Sequence, residues 1–125
     1  MKRVLKTRVF TRWMKKTDLT NQALIDAIVE FESGLWDADL GGHVYKKRIA
    51  LPGRGKSGST RTLIAVNKGN KCFFMYGFQK NEKGNISKKE LEAIQKVASD
   101  YLKLSEKEII EFIETGLLEE IHNET

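Results

Sequence analysis

His43-Val44-Tyr45-Lys46-Lys47-Arg48-Ile49-Ala50-Leu51, Thr60-Arg61-Thr62-Leu63-Ile64-Ala65-Val66 and Cys72-Phe73-Phe74-Met75-Tyr76-Gly77-Phe78 are three strand-forming runs in close succession. The first runs into a glycine-rich loop, Pro52-Gly53-Arg54-Gly55-Lys56-Ser57-Gly58. The second and third are separated by Asn67-Lys68-Gly69-Asn70, a hairpin signal because Asn and Gly accept positive φ. Connections this short join antiparallel neighbours, since a parallel pair needs a crossover. The three runs therefore predict an antiparallel meander. Cys72 to Phe78 is its most apolar member and the expected central strand.

On the N-terminal side, residues 3–9 read as a short strand. Phe10, Trp13 and Met14 then follow at the spacing of a helix's apolar face, and Thr17-Asp18 interrupts it. A second helix is expected from about Asn21 to Ser33. It is capped by the Thr20 hydroxyl, buries Leu24, Ala27, Ile28 and Phe31, and ends at Gly34. On the C-terminal side, Ser87-Lys88-Lys89-Glu90 and Ser105-Glu106-Lys107-Glu108 are capping boxes, in which hydroxyl and carboxylate each satisfy an orphan amide. The first opens a helix with Leu91, Ile94, Ala98 and Tyr101 as its buried stripe. The second opens a shorter one that stops at Gly116. The expectation is one α+β domain: an N-terminal strand, two helices, a three-strand meander and C-terminal helices, around a small antiparallel sheet.

The 125 residues suit a single domain, and no apolar run is long enough for a membrane span. The basic N-terminus has no apolar segment behind it, so a cytoplasmic protein is expected. One cysteine, Cys72, leaves no disulfide framework and no cysteine-rich zinc cage; His43 and His122 are too few for a multi-histidine metal site. The net charge of +5 is unevenly spread. Residues 43–83 hold 10 Lys/Arg against 1 Asp/Glu, whereas residues 84–125 hold 5 against 10. A basic middle of this kind suits a polyanionic partner.

Gly53-Arg54-Gly55-Lys56-Ser57 invites a nucleotide-binding loop, but Ala50 stands where the first glycine is needed and a strand follows where a helix should. The glycines still permit close approach to a phosphate, with Arg54 and Lys56 supplying charge. The strand before the loop is more informative. Lys46 and Arg48 share one face and Lys47 takes the other. Arg61 joins the first surface from the next strand, and Lys80 and Lys83 follow the last strand. Neighbouring cations repel unless an anion lies over them, and together they suit a phosphate gaining charge in a transition state. His43 is a possible general base at a strand start, Cys72 a buried inert thiol, and Tyr76 a core aromatic or an active-site hydroxyl, with the core favoured. Glu82 is the only acid in the basic segment, which disfavours two-metal phosphodiester chemistry.

The stretch from Gly41-Gly42-His43 through Lys46, Arg48, Gly53, Gly55-Lys56, Gly58 and Arg61 resembles the signature of RelE/HigB-type toxins, most of all the HigB-like branch. Lys80-Asn81-Glu82 is similar to that branch's closing element. The resemblance covers roughly residues 1–102 as the toxin domain, with 103–125 a C-terminal helical extension of it. It implies a RelE-like fold and the toxin half of a type II toxin–antitoxin pair, a ribosome-dependent mRNA endonuclease. No metal or other cofactor is implied, because the RNA 2′-hydroxyl attacks while basic side chains hold the phosphate.

By position, the resemblance makes Lys46, Arg48 and Arg61 catalytic, with Arg54, Lys56, Lys80 and Lys83 as RNA-binding cations. It implies three partners: a small helix-turn-helix antitoxin, the ribosome and mRNA. Asn81 stands where some members carry arginine, and Ile86 and Ser87 where some carry tyrosine. That leaves a lysine as the candidate proton carrier. Two other readings are a ParE-like toxin that targets gyrase and a non-catalytic RNA-binding module. A module would favour exposed stacking aromatics, and the aromatics here fall mostly in apolar runs.

Overall fold

The computed structural model describes residues 3–51, 59–67, 70–79 and 85–122. In chain order the elements are β1 (Arg3–Thr7), α1 (Arg8–Met14), α2 (Asn21–Glu32), β2 (Ala38–Gly41), β3 (Val44–Ile49), β4 (Thr60–Val66), β5 (Lys71–Gln79), α3 (Lys88–Leu102), α4 (Glu106–Glu114) and β6 (Leu118–Ile121). The six strands form one sheet in the order β2-β3-β4-β5-β1-β6.

The expected meander is present as β3-β4-β5, antiparallel throughout. The sheet is mostly rather than wholly antiparallel, because β1 lies parallel to β5, Val4 opposite Cys72 and Leu5 opposite Phe73. Two short edge strands were not expected. β2 pairs with β3, and β6 pairs antiparallel with β1, so residues 118–121 are strand rather than helix. Both are four residues long and carry acids, so neither has a strand signature of its own. A neighbour's open edge defines them.

The first strand is also shorter than the 3–9 expected. The Thr7 hydroxyl caps α1 by accepting from the Phe10 N–H at 3.2 Å, which ends β1 and starts the helix two residues early. Val9 therefore sits on α1, 58% exposed. The other caps follow the sequence reading. Thr20 caps α2, both capping boxes form, and Gly34 and Gly116 take positive φ just beyond their helices.

Both faces of the sheet are covered, which is why the interior strands read as near-continuous apolar runs. On one face α1 and α2 pack over Val4, Ile49, Ile64, Cys72 and Phe74. On the other, α3 and α4 pack over Leu5, Val44, Leu63, Phe73 and Met75. A bulge interrupts β4 and β5: Ile64 lies opposite Phe74, but Leu63 lies opposite Tyr76. The extra residue, Met75, puts Met75 and Tyr76 on the same side. Gly77 is thereby turned toward α1, where an added Cβ would lie 2.3 Å from the Trp13 ring. Only glycine fits under that indole.

An ion network ties the last elements to the first strand. Arg3 Nε is 2.8 Å from Glu120 and its guanidinium also meets Glu106, which Lys71 Nζ reaches at 3.2 Å. Arg3 holds the Glu120 carboxyl below the usual carboxylate range, and Lys71, with Arg3, does the same for Glu106. A carboxyl depressed in the folded state adds stability that is present above its unfolded value and lost as pH falls through the folded value. Acidification below about pH 4 is therefore expected to loosen β6 and α4 ahead of the β3-β4-β5 core. Amide hydrogen exchange across that range checks this, and Glu120→Gln should flatten the dependence. Exchange that rises equally in every strand would contradict it.

Candidate functional site

The alternation along β3 separates three adjacent cations into two environments. Lys47 points toward α2, is buried, and places its Nζ 2.8 Å from a Glu30 carboxylate oxygen. Its charge is thus answered within the fold. Lys46 and Arg48 take the opposite face, with Arg48 exposed and Lys46 half-buried.

The β3–β4 register sets Arg48 directly opposite Arg61, and Lys46 opposite Leu63. The β4–β5 register continues the two rows, Arg61 opposite Phe78 and Leu63 opposite Tyr76. Directly paired residues of an antiparallel ladder share a face, so Lys46, Arg48, Arg61 and Tyr76 lie on one patch spanning three strands. Among the described residues, no carboxylate pairs with the Lys46, Arg48 or Arg61 side chain. Two arginines directly opposite each other destabilise a sheet. The arrangement becomes favourable when an anion bridges them.

Backbone and hydroxyl contacts hold the rows in place. Arg61 Nη1 donates to Ser59 Oγ at 3.1 Å, which restrains the guanidinium. The Arg48 N–H donates to Asp37 Oδ2 at 2.5 Å, anchoring β3 where β2 no longer pairs with it. On the far face, Thr60 and Thr62 donate to the Ile49 and Lys47 carbonyls at 3.1 and 2.8 Å. The other part of the site's own face lies under α3. There the Gln95 amide donates to the Leu40 and Gly41 carbonyls at 3.1 and 3.2 Å, and Tyr101 stacks on Phe73.

The structure thus brings together Lys46, Arg48 and Arg61. Arg54, Lys56, Lys80 and Lys83 lie outside the described residues. His43 is not part of the patch. It sits at the other end of β3 with φ 66°, completing a turn in which Gly41 and Gly42 also have positive φ. Its carbonyl accepts from the Val66 N–H at 3.0 Å, so its role is to shape the turn. Cys72 is buried under the α1–α2 layer. Tyr76 is half-buried and belongs to the patch as well as to the core edge. Its placement depends on the bulge at Met75, which no local sequence pattern marks.

Four features define the chemistry available: two opposed guanidiniums, an amine one step along the strand, a phenol across Leu63, and no carboxylate among them. Such a surface is chemically suited to phosphate charge. No helix among the described residues is long and apolar enough to cross a membrane.

Comparison with known families gives an independent result. The family model for the RelE toxin of the RelE / RelB toxin-antitoxin system matches residues 2–121. A search of curated proteins returned no match. The family match spans every strand of the sheet, including β6, and the whole basic patch on β3 and β4; the chain belongs to the RelE toxin family.

Proposed function

We propose that this toxin is a ribosome-dependent mRNA endonuclease that inhibits translation and works without a metal. The observation that carries the reading is the cation patch, with no carboxylate partner among the described residues, in which Arg48 lies opposite Arg61 and Lys46 beside them on one sheet face. In the reaction the RNA 2′-hydroxyl attacks the adjacent phosphorus. The O2′–P bond forms, the P–O5′ bond breaks, and the products are a 2′,3′-cyclic phosphate and a 5′-hydroxyl. The phosphorane between them carries extra negative charge, which Arg48 and Arg61 stabilise. Lys46 and Tyr76, either side of Leu63, are the groups within the patch able to carry protons to and from the two oxygens. Arg54, Lys56, Lys80 and Lys83 grip flanking phosphates.

An acid–base set this sparse needs its substrate oriented for it, and a ribosome-bound message supplies that orientation. The antitoxin, proposed as a small helix-turn-helix protein, restrains the toxin in the cytoplasm. Inducible expression followed by mapping of mRNA 5′ ends tests the assignment. New ends clustered within translated codons are expected. Intact messages in arrested cells carrying DNA breaks would instead indicate a gyrase-directed toxin.

A further inference from the structure

A second charged surface lies at the other side of the molecule. α1 carries Arg8, Arg12 and, just past its end, Lys15, at spacings of four and three that align them along one side of the helix. All three are exposed, and among the described residues none is in an ion pair. They line a cleft of about 560 Å³ whose other walls are Ile113, Gly116 and β6. The carboxylates there are already engaged, Glu119 by Lys6 at 2.8 Å and Glu120 by Arg3 at 2.8 Å. The cations are not. β6 is the outermost strand, so its free side presents backbone groups with no strand partner among the described residues. On the α1 wall the Thr11 hydroxyl is buried without a hydrogen-bond partner among the described residues.

We propose that this cleft docks an acidic, extended peptide segment of a partner protein, which adds to the free edge of β6 and sets its carboxylates against Arg8, Arg12 and Lys15. Dimensions agree. Four residues of strand span about 13 Å, and the seven residue steps from Arg8 to Lys15 rise about 10 Å. A peptide fits better than RNA for two reasons. An open strand edge alternates N–H and C=O, which only another backbone matches. A strand also alternates its side chains, so its acids can face α1, the side on which Glu119 is already neutralised by Lys6, while Glu120 points to the opposite face against Arg3. A phosphate chain is charged at every step. The cleft is three strands from Arg61 and on the α1 side of the sheet, so the proposal stands apart from the cleavage reading.

Fluorescence anisotropy with a labelled octapeptide of alternating glutamate and valine tests this on the full chain. The comparators are the matching lysine–valine peptide and a short oligouridylate. The Glu–Val peptide should bind, more weakly as salt rises, while the Lys–Val peptide should not. Amide exchange should slow at residues 118–122. The Arg8→Glu/Arg12→Glu double variant, checked for an unchanged melting temperature, should bind the peptide roughly tenfold more weakly or worse, and Arg48→Ala should bind it normally. Absence of peptide binding, equal binding by the charge-reversed variant, or protection away from β6 would overturn the proposal. So would oligouridylate binding that depends on Arg8 and Arg12 while peptide binding does not.

Discussion

Arg61→Ala is expected to slow cleavage of ribosome-bound mRNA by a hundredfold or more while leaving ribosome binding nearly intact. Arg61 faces Arg48 across the β3–β4 ladder and is restrained by Ser59, so it is preorganised where charge accumulates rather than swinging in solvent. Removing one such electrostatic group costs about 3–4 kcal/mol in barrier, which is a rate loss of roughly 100- to 1,000-fold. Because the phosphorane carries more charge than the bound phosphodiester, the loss falls on the chemical step rather than on affinity. Lys56→Ala should behave differently, weakening binding modestly and increasingly with salt, as a lost phosphate contact does. Single-turnover cleavage and ribosome pelleting on both variants separate the two effects. Wild-type cleavage by the Arg61→Ala protein would remove the proposed site.

Gly77→Ala is expected to be the most damaging glycine-to-alanine change among the described residues. The added Cβ would lie 2.3 Å from the Trp13 ring, inside a layer already packed by Phe10 and Phe74. Overpacking of this severity costs about 3 kcal/mol, enough to lower the melting temperature by roughly 10 °C or more. Trp13→Leu should recover part of the loss when combined with Gly77→Ala, although it costs stability alone. That non-additivity identifies the contact as the cause. Gly34→Ala gives a contrast, since nothing lies within 4 Å there and only its φ of +90° penalises a side chain. Melting of the four variants against wild type checks the comparison; a Gly77→Ala protein as stable as wild type would mean that Trp13 does not rest on β5.

The parts of this molecule that were legible in the sequence are those fixed by local rules. The two-residue period of a strand separates Lys46 and Arg48 from Lys47, and the structure answers Lys47 with Glu30 while giving the other two no carboxylate partner among the described residues. Arg61, early in the next strand, can join the Arg48 surface, and the β3–β4 register sets the two directly opposite. Ser87 and Ser105 announce their helices because a capping box is complete within four residues.

What was not legible depends on distant partners. β2 and β6 exist because β3 and β1 offer them an edge. The parallel pairing of β1 with β5 joins segments some 70 residues apart. Thr7 could extend a strand or cap a helix; its hydroxyl accepts from the Phe10 N–H as the cap of α1 and is held there by donating to the distant Met75 carbonyl at 3.2 Å. Tyr76 could be assigned to core or site only after the bulge beside it was seen. The family match, running to residue 121, likewise includes β6, which helical patterning alone had left as the tail of an extension.

The central claim is that this cationic sheet face directs an RNA 2′-hydroxyl onto its own phosphate. The most direct measurement uses ribosomes programmed with an mRNA bearing a single 2′-deoxy nucleotide on the 5′ side of the mapped cut. The unmodified message should be cut to a 2′,3′-cyclic phosphate and a 5′-hydroxyl, and the deoxy message should stay intact at that position. Continued cutting of the deoxy message, with a 5′-phosphate on the product, would contradict the mechanism and the assignment of Lys46, Arg48 and Arg61 to it.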